Sequence, residues 1–235
     1  MINHLDPYGY MIPEIFPSGV NYLDVLEDGS TVAWFLSDEP TTITKDVADR
    51  VSRWNDYLGS GHDLIQGVGA DQPLWSANGI LFDGVSEFMK TAPFAWVQPE
   101  MIYIVFKQVN WGTDRTIFDG NTPASTLFYQ RLITPPILNV YAGLFSDQNA
   151  NLALNTWGIA RILFNGASST FQIDETTQLT GDYGTQDSEG FCLGARPDNT
   201  KYSKIEVKEI ILRNVADTAP DEAAIYAYLS SKYGI

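Results

Sequence analysis

Hydrophobic residues occur along this chain in short runs bounded by Gly, Pro, Asn or Asp, the pattern of β-strands separated by turns. Residues 101–107 read Met-Ile-Tyr-Ile-Val-Phe-Lys and are too short and too apolar for an amphipathic helix, so they are predicted to form a core strand. Similar runs predict further strands at 126–130, 137–141, 158–164, 170–173, 191–195 and 205–212. This number of strands is typical of a β-sandwich or barrel.

Three hydrophobic runs end in a similar turn sequence, Phe-Asp-Gly or Phe-Asn-Gly. The turn pairs are Asp83-Gly84, Asp119-Gly120 and Asn165-Gly166. Asp, Asn and Gly tolerate the positive φ of tight hairpin turns better than other residues, so we predict three β-hairpins. Their uneven spacing argues against the regular units of a solenoid or propeller.

One helix is predicted, at the C-terminus. Thr218 followed three residues later by Asp221 resembles a capping box, and Gly234 is suited to end the helix. An apolar stripe on this helix comprises Ile225, Tyr228 and Leu229. The stripe is expected to cover part of a sheet edge or an end of the sandwich.

The first 32 residues differ in composition from the rest, being rich in Pro, Gly and aromatic residues. Pro disfavours both helices and central strands, so 1–32 is interpreted as an extended arm over its own domain or a partner's surface. An irregular first strand with its turns is the alternative interpretation. Residues 33–235 are predicted to form a single sandwich domain.

Composition and charge exclude several classes of protein. The 235 residues are 44% hydrophobic and 18% charged, which favours a packed core, and the net charge of -15 argues against a nucleic-acid partner. No apolar run is long enough to span a membrane. No Lys or Arg precedes Lys45, so a secretory signal is not expected. Cys192 is the one cysteine, which excludes an intrachain disulfide and indicates a buried thiol.

Several segments, taken in order, resemble a known family. They are residues 51–66 (Val-Ser-Arg-Trp-Asn-Asp-Tyr-Leu-Gly-Ser-Gly-His-Asp-Leu-Ile-Gln), 82–89 (Phe-Asp-Gly-Val-Ser-Glu-Phe-Met), 191–196 (Phe-Cys-Leu-Gly-Ala-Arg) and 209–212 (Glu-Ile-Ile-Leu). Together they resemble laminin G-like domains of the concanavalin A-like lectin/glucanase superfamily, over residues 33–235. The resemblance implies an all-β fold, a jelly-roll β-sandwich of two antiparallel sheets. To this we add the short C-terminal α-helix and the extended N-terminal arm.

Catalysis of glycoside hydrolysis would require two carboxylates about 5 to 5.5 Å apart for a retaining reaction. Glucan-cleaving members of the superfamily carry Glu-x-Asp-x-x-Glu on a core strand, and this sequence has no such string. The nearest pairs are Asp174 with Glu175 and Glu206 with Glu209, whose spacings place their side chains on opposite faces of a strand. The chain is therefore expected not to be an enzyme and to have no catalytic residues.

Sugar binding uses exposed aromatic rings with neighbouring polar groups that bond to hydroxyls. Trp111 lies in a predicted loop with Asp114 and Arg115, and Tyr183 lies in another. These four residues are the predicted glycan-binding site. The alternative is that Trp111 packs against a neighbouring loop.

Calcium is a further ligand of many members of the superfamily. Asp182, Asp187 and Glu189 lie in one polar loop, and Asp147 and Asn149 lie in another. Neither loop has the regular spacing of a known calcium-binding loop, so solvated acids are the preferred interpretation and no metal or other cofactor is expected.

A sandwich of this kind normally works outside the cell, yet the sequence shows neither an export signal nor a disulfide. A virion protein of a tailed bacteriophage satisfies both observations, because it is made in the host cytoplasm and released by lysis. We therefore expect a non-enzymatic head decoration, fibre or tail adhesin protein located in the virion. Its expected partners are other virion proteins, contacted through the arm, and host surface glycans, and it is expected to form a homo-oligomer or part of a larger assembly.

Two other functions remain open from the sequence. One is a carbohydrate-binding module of a bacterial surface or secreted protein, and the other is a polysaccharide hydrolase or lyase. Neither nucleic acid nor a membrane is an expected partner.

Overall fold

Two antiparallel sheets face each other in the computed structural model, which describes residues 4–5, 11–12, 19–131, 137–146 and 149–235. The strands are β1 (His4–Leu5), β2 (Met11–Ile12), β3 (Thr31–Leu36), β4 (Ile43–Lys45), β5 (Val51–Trp54), β6 (Leu64–Ile65), β7 (Leu74–Ser76), β8 (Gly79–Leu81), β9 (Met89–Lys90), β10 (Glu100–Gln108), β11 (Arg115–Asp119), β12 (Leu127–Arg131), β13 (Ile137–Tyr141), β14 (Trp157–Phe164), β15 (Ser169–Ile173), β16 (Leu179–Gly181), β17 (Cys192–Leu193) and β18 (Ile205–Arg213). The helices are α1 (Tyr22–Leu26) and α2 (Ala219–Tyr233), with short 3-10 helices at Pro40–Thr42, Gly69–Asp71 and Gly166–Ser168.

Each of the two large sheets has eight strands. One, which we call the helix-covered sheet, has the order β16-β15-β14-β10-β18-β8-β7, with β3 also paired to β18. The other, the open sheet, has the order β13-β12-β11-β17-β9-β6-β5-β4. The strands β1 and β2 pair separately. The predicted two-sheet antiparallel β-sandwich is confirmed.

The central strand β10 shows why some strands of this chain are apolar throughout. Its alternate residues Ile102, Ile104 and Phe106 lie in the main core between the two sheets. The intervening residues Met101, Tyr103 and Val105 lie in a second core on the other face of the sheet, beneath the two helices. Both faces of β10 are therefore buried, and no polar alternation is required.

Helix α2 begins and ends where the sequence predicts. The Thr218 side chain accepts a hydrogen bond from the Asp221 N–H, and Gly234 has the left-handed conformation (φ 67°) that ends the helix. The prediction that the apolar stripe covers a sheet edge or an end of the sandwich is wrong. The stripe lies across the middle of the helix-covered sheet, because the central strands there are apolar on their outer face as well.

The predicted arm lies partly outside the described residues, and its assignment as a separate unit stays a prediction. Within the described part, Tyr22–Leu26 forms a helix that was not predicted from the sequence. The Asn21 side chain caps it by accepting from the Leu23 N–H, and the ring of Tyr22 stacks on Tyr228 of α2 with 4.0 Å between centroids. Prolines are absent from this stretch, and the contact with α2 stabilises the short helix.

Two of the three predicted hairpins are confirmed and one is wrong. Asn165-Gly166 joins the paired strands β14 and β15, and Asp119-Gly120 begins the loop between the paired strands β11 and β12. Asp83-Gly84 instead leads from β8 in the helix-covered sheet to β9 in the open sheet. The Asp83 carboxylate accepts hydrogen bonds from the N–H groups of residues 85–87, which closes a local turn without a hairpin.

Two smaller expectations concern the core and the membrane. Cys192 is buried, as predicted, and burial raises the pKa of its thiol. In the part of the chain that the structure describes, no helix has the length and apolarity needed to cross a bilayer.

Candidate functional site

A cleft of about 320 Å³ opens on the outer face of the open sheet, across β11, β12 and β13. The side chains of Phe128 and Val140 point into the main core, so those of Leu127, Tyr129 and Tyr141 point to the opposite face. The cleft is lined by Asp114, Thr116, Ala124, Leu127, Tyr129, Tyr141, Phe145, Arg196 and Lys201. Strands thus provide its floor, and loops provide its walls.

Two aromatic rings form one wall of the cleft. Tyr141 at the end of β13 makes a β-bridge with Phe145, and their ring centroids are 4.8 Å apart at an interplanar angle of 47°. Gly143 between them has a φ of 109°, which lets the chain reverse direction within a few residues. The turn leaves Phe145 72% exposed. A large apolar ring held in this way offers a face to a ligand.

Charged groups form the opposite wall. Lys201 Nζ lies 3.7 Å from Asp114 Oδ2, and both side chains are partly exposed. The Thr116 N–H donates to the Lys201 carbonyl at 2.7 Å, which fixes the loop that carries Lys201 against β11. Arg196 lies at the start of the same loop, and its Nε is 3.7 Å from Asp119 Oδ2. Among the described residues that line the cleft, Asp114 is the one carboxylate.

The backbone of the cleft contains strained residues. Asp114 (φ 51°), Ala124 (φ 60°) and Lys201 (φ 58°) all have left-handed conformations, which cost a residue other than Gly about 1–2 kcal/mol. Eight such residues occur in the described chain, and three of them meet at this one cleft. Strain concentrated at one place points to a functional role for the geometry.

Asp119 shapes the wall that contains Ala124. Its carboxylate is fully buried and accepts hydrogen bonds from the N–H groups of Gly120, Ala124 and Ser125 at 2.8, 2.8 and 3.2 Å. Burial raises the pKa of Asp119 to about 6, although the backbone donors and Arg196 act in the opposite direction. The loop between β11 and β12 is therefore folded around this one carboxylate.

The structure places the four predicted glycan-binding residues in different environments. Asp114 lines the cleft. Arg115 precedes Thr116 in β11, so its side chain points away from the cleft, and Trp111 packs against the main core. The prediction for Tyr183 is corrected, because its side chain is 0% exposed within the main core and offers no ring face to a sugar.

Most of the residues that line the cleft were not predicted from the sequence. Tyr141 was assigned to a strand, and the alternation within 137–141 could have shown that it faces away from the core. Phe145 follows Gly143 in a turn, which is a weak signal for an exposed ring. Nothing local marks Arg196 and Lys201, because only the folded loop brings them to β11.

Metal ligation has no candidate site among the described residues. Within them, no group of three or more His, Cys, Asp or Glu side chains is arranged to hold an ion. Asp147, one of the acids considered for calcium, lies outside the described residues.

Comparisons with known proteins identify the fold. No protein-family model and no curated protein sequence matches the chain. A Trypanosoma rangeli sialidase in complex with 2,3-difluorosialic acid matches with a TM-score of 0.63 and 12% identity, over 86% of this chain and 33% of the sialidase. A GH54 α-L-arabinofuranosidase matches with a TM-score of 0.65 and 12% identity, over 88% of this chain and 64% of that one.

Domain 4 of AbnA, a GH43 extracellular arabinanase from Geobacillus stearothermophilus, in complex with arabinotriose, matches along nearly its whole length. The TM-score is 0.58 and the identity 12%, over 84% of this chain and 98% of that domain. The chain thus spans about a third of the sialidase but almost all of the arabinanase domain. At these identities the likeness shows the fold, a β-sandwich that also occurs in carbohydrate-active enzymes.

The expectation that the chain is not an enzyme is corrected by these matches. Its fold is found in parts of three glycoside hydrolases, a sialidase, an arabinanase and an arabinofuranosidase. The absence of Glu-x-Asp-x-x-Glu concerns one catalytic arrangement only, so it could not exclude the others. The laminin G-like assignment and the virion location stay predictions.

Proposed function

We propose that this protein binds a carbohydrate chain in the cleft on the open sheet. The observation that carries the proposal is the pair of adjacent rings, Tyr141 and Phe145, opposite the hydrogen-bonding groups of Asp114 and Lys201. Sugar rings stack on aromatic faces while their hydroxyls bond to polar side chains. A volume of about 320 Å³ lies within the range of small-molecule sites and is sufficient for one or two sugar units.

The arabinanase domain supports the same class of ligand. It aligns with this chain over 98% of its own length, and its structure is a complex with arabinotriose. Arabinotriose is therefore a suitable first probe, together with neutral and acidic trisaccharides of other plant and bacterial polysaccharides.

The experiment measures binding of each trisaccharide by isothermal titration calorimetry to the wild-type protein and to Phe145→Ala and Tyr141→Ala. Each substitution removes a stacking surface and is expected to raise the Kd of the bound sugar about tenfold. Val47→Ala is the matched control, since Val47 is fully exposed beyond β4, at the opposite edge of the open sheet. The proposal is overturned if no sugar binds or if the three variants bind equally well.

Two further measurements use the same proteins. Release of reducing ends from each trisaccharide is followed with wild type and Asp114→Asn, because the fold also occurs in glycoside hydrolases. Trp111→Ala tests the site predicted from sequence. Provided that this variant is stable enough to be measured, we expect its Kd for the sugar to equal that of wild type. An affinity that depends on Trp111 but not on Phe145 would place the site elsewhere.

We retain the virion role predicted from sequence as the proposed setting for glycan binding. The described residues do not test the virion setting or oligomerisation, and the part of the arm that they include, Tyr22–Leu26, packs on α2 of its own chain. Co-purification with intact phage particles and light scattering of the isolated protein test these predictions directly.

A further inference from the structure

Positive charge is scarce in this chain and is locally concentrated in the cleft. The whole sequence has 14 Lys and Arg residues against 29 Asp and Glu residues. Arg196 and Lys201 both line the cleft, where Asp114 is the one acidic residue of the described lining, while the carboxylate of Asp119 is buried beside Arg196. Two cations in one small cleft of a protein of net charge -15 mark a place where an anion can bind.

Arg196 has hydrogen-bonding capacity that the fold does not use. Its side chain is 24% exposed, and its Nε atom is buried without a hydrogen-bond partner. The nearest carboxylate, Asp119, lies at 3.7 Å, beyond hydrogen-bond distance, and its oxygens already accept from three backbone N–H groups. A guanidinium has five N–H donors, and its planar fork matches a carboxylate.

Lys201 is also available to a ligand. Its contact with Asp114 is long, at 3.7 Å, and the side chains are 44% and 45% exposed. Exposed ion pairs of this kind are worth about 0–1 kcal/mol, so a ligand anion can replace Asp114 as the partner of the ammonium group at small cost.

We propose that the cleft selects sugars that carry a carboxylate, of the uronic acid class. This inference rests on the proposed function, because it presupposes that a sugar binds in the cleft and adds that this sugar carries a negative charge. The ring of the uronic acid would stack on Phe145 while Arg196 and Lys201 bond to its carboxylate. The aromatic ring that stacks on the sugar and the basic groups that bond to its carboxylate belong to different residues, so stacking and charge preference can be tested separately.

The test compares trigalacturonate with its methyl ester, which keeps the ring and the linkage and removes the charge. The wild-type protein is expected to bind the acid about tenfold more tightly than the ester. Raising the salt concentration from about 50 to about 500 mM should weaken binding of the acid and leave the ester unaffected.

Variants assign the preference to individual residues. Lys201→Gln and Arg196→Gln should each reduce the ratio between acid and ester affinities. Lys45→Gln is the matched control, because Lys45 is a partly exposed lysine paired with Asp49 at the opposite edge of the open sheet. Asp119 pairs with Arg196 whereas Lys201 pairs with the partly exposed Asp114, so the Lys201 variant tests the inference even if Arg196→Gln fails to fold.

The outcomes separate this inference from the proposed function. Equal binding of acid and ester, both weakened by Phe145→Ala, would overturn the charge preference and leave carbohydrate binding intact. Failure of every sugar to bind would overturn both. If both Lys201→Gln and Arg196→Gln still prefer the acid, other residues bind the carboxylate, and the inference is overturned as well.

Discussion

Glu100 is a buried carboxylic acid at the start of β10, and replacing it with Gln is expected to stabilise the protein at alkaline pH. The side chain is 0% exposed, with Oε1 accepting from the Ser188 N–H at 2.8 Å and Oε2 2.6 Å from Ser188 Oγ. Burial raises the pKa of Glu100 to about 8; the Ser188 hydrogen bonds lower it, and nearby Asp187 adds to the rise.

The sign of the pH dependence follows from this raised pKa. An unfolded chain ionises Glu100 near pH 4.5, whereas the folded chain keeps it protonated until about pH 8. The neutral acid therefore stabilises the fold fully below pH 4.5, and this contribution is lost as the pH rises through about 8. The difference between 4.5 and about 8 corresponds to about 4–5 kcal/mol in total, of which about 3 kcal/mol falls between about pH 5.5 and about pH 8.5.

Gln has the shape of the protonated acid. Its amide oxygen can accept from the Ser188 N–H, and its amide nitrogen can donate to Ser188 Oγ, but it does not ionise. Urea unfolding of wild type and Glu100→Gln at the two pH values measures the difference in the free energy of unfolding. The free energy of unfolding of the variant minus that of wild type is expected to be about 3 kcal/mol larger at about pH 8.5 than at about pH 5.5.

Other buried acids do not obscure this result. Burial also raises the pKa of Glu87, to about 7, and that of Asp119, to about 6, but both groups are present in both proteins and cancel in the comparison. The exposed Glu27, changed to Gln, is the control and should show no such difference. If the advantage of Glu100→Gln is the same at both pH values, Glu100 is ionised in the folded protein and the reasoning is refuted.

Three further substitutions test the packing, each by chemical unfolding. Ala124→Gly should stabilise the fold by about 0.5–1 kcal/mol, because Gly adopts φ 60° without strain, and a loss of stability would contradict the strain assigned to the cleft. Gly184→Ala should lower the free energy of unfolding by more than about 2 kcal/mol, because a Cβ at this φ of 99° would lie 2.1 Å from the Ala142 carbonyl oxygen. An unchanged midpoint of chemical unfolding would disprove this close approach. Lys232→Met should lower the free energy of unfolding by about 3–5 kcal/mol, because it leaves the buried Glu209 side chain without the ammonium group 2.9 Å away. An unchanged free energy of unfolding would show that this ion pair does not stabilise the fold.

Most strands of five or more residues could be predicted because their signals are local. The strand predicted at 137–141 is observed at Ile137–Tyr141, and the one predicted at 205–212 is observed at Ile205–Arg213. Short strands such as Leu64–Ile65 and Met89–Lys90 were missed, because two residues carry no periodic pattern and become strands only through pairing with neighbours. Thr31–Leu36 was missed for another reason, since it begins within residues 1–32, the Pro-rich and aromatic segment that was interpreted as an arm.

Turn chemistry predicts that the chain turns but not which strand it meets next. Asp83-Gly84 and Asn165-Gly166 have nearly the same local sequence, yet one crosses between sheets and the other closes a hairpin. The difference arises in the partners of the following strands, since β15 pairs with β14 whereas β9 pairs with β17 and β6. Pairing over such sequence distances depends on the whole core, which no short motif contains.

The aromatic residues chosen from sequence failed for a related reason. Tyr183 lies in a segment with the composition of an open loop, but Gly184 beside it allows the backbone to approach the Ala142 carbonyl closely. This glycine therefore marks tight packing, and the neighbouring ring is buried. Phe145 has equally weak local signals and yet is exposed, because its turn projects beyond β13. Burial of a loop aromatic is set by the tertiary fold, which composition does not show.

The cleft itself combines backbone strain and side-chain charge at the same positions. A glycine at 114 or 201 would relieve the left-handed backbone, but it would also remove the carboxylate of Asp114 or the ammonium group of Lys201. Strain tolerated only for the fold would be relieved by glycine without loss, as expected at Ala124, whose methyl group contributes no polar contact. At Asp114 and Lys201 the strained conformation instead directs a charged group into the cleft, so the cost in stability and the capacity to bind a ligand have the same structural origin.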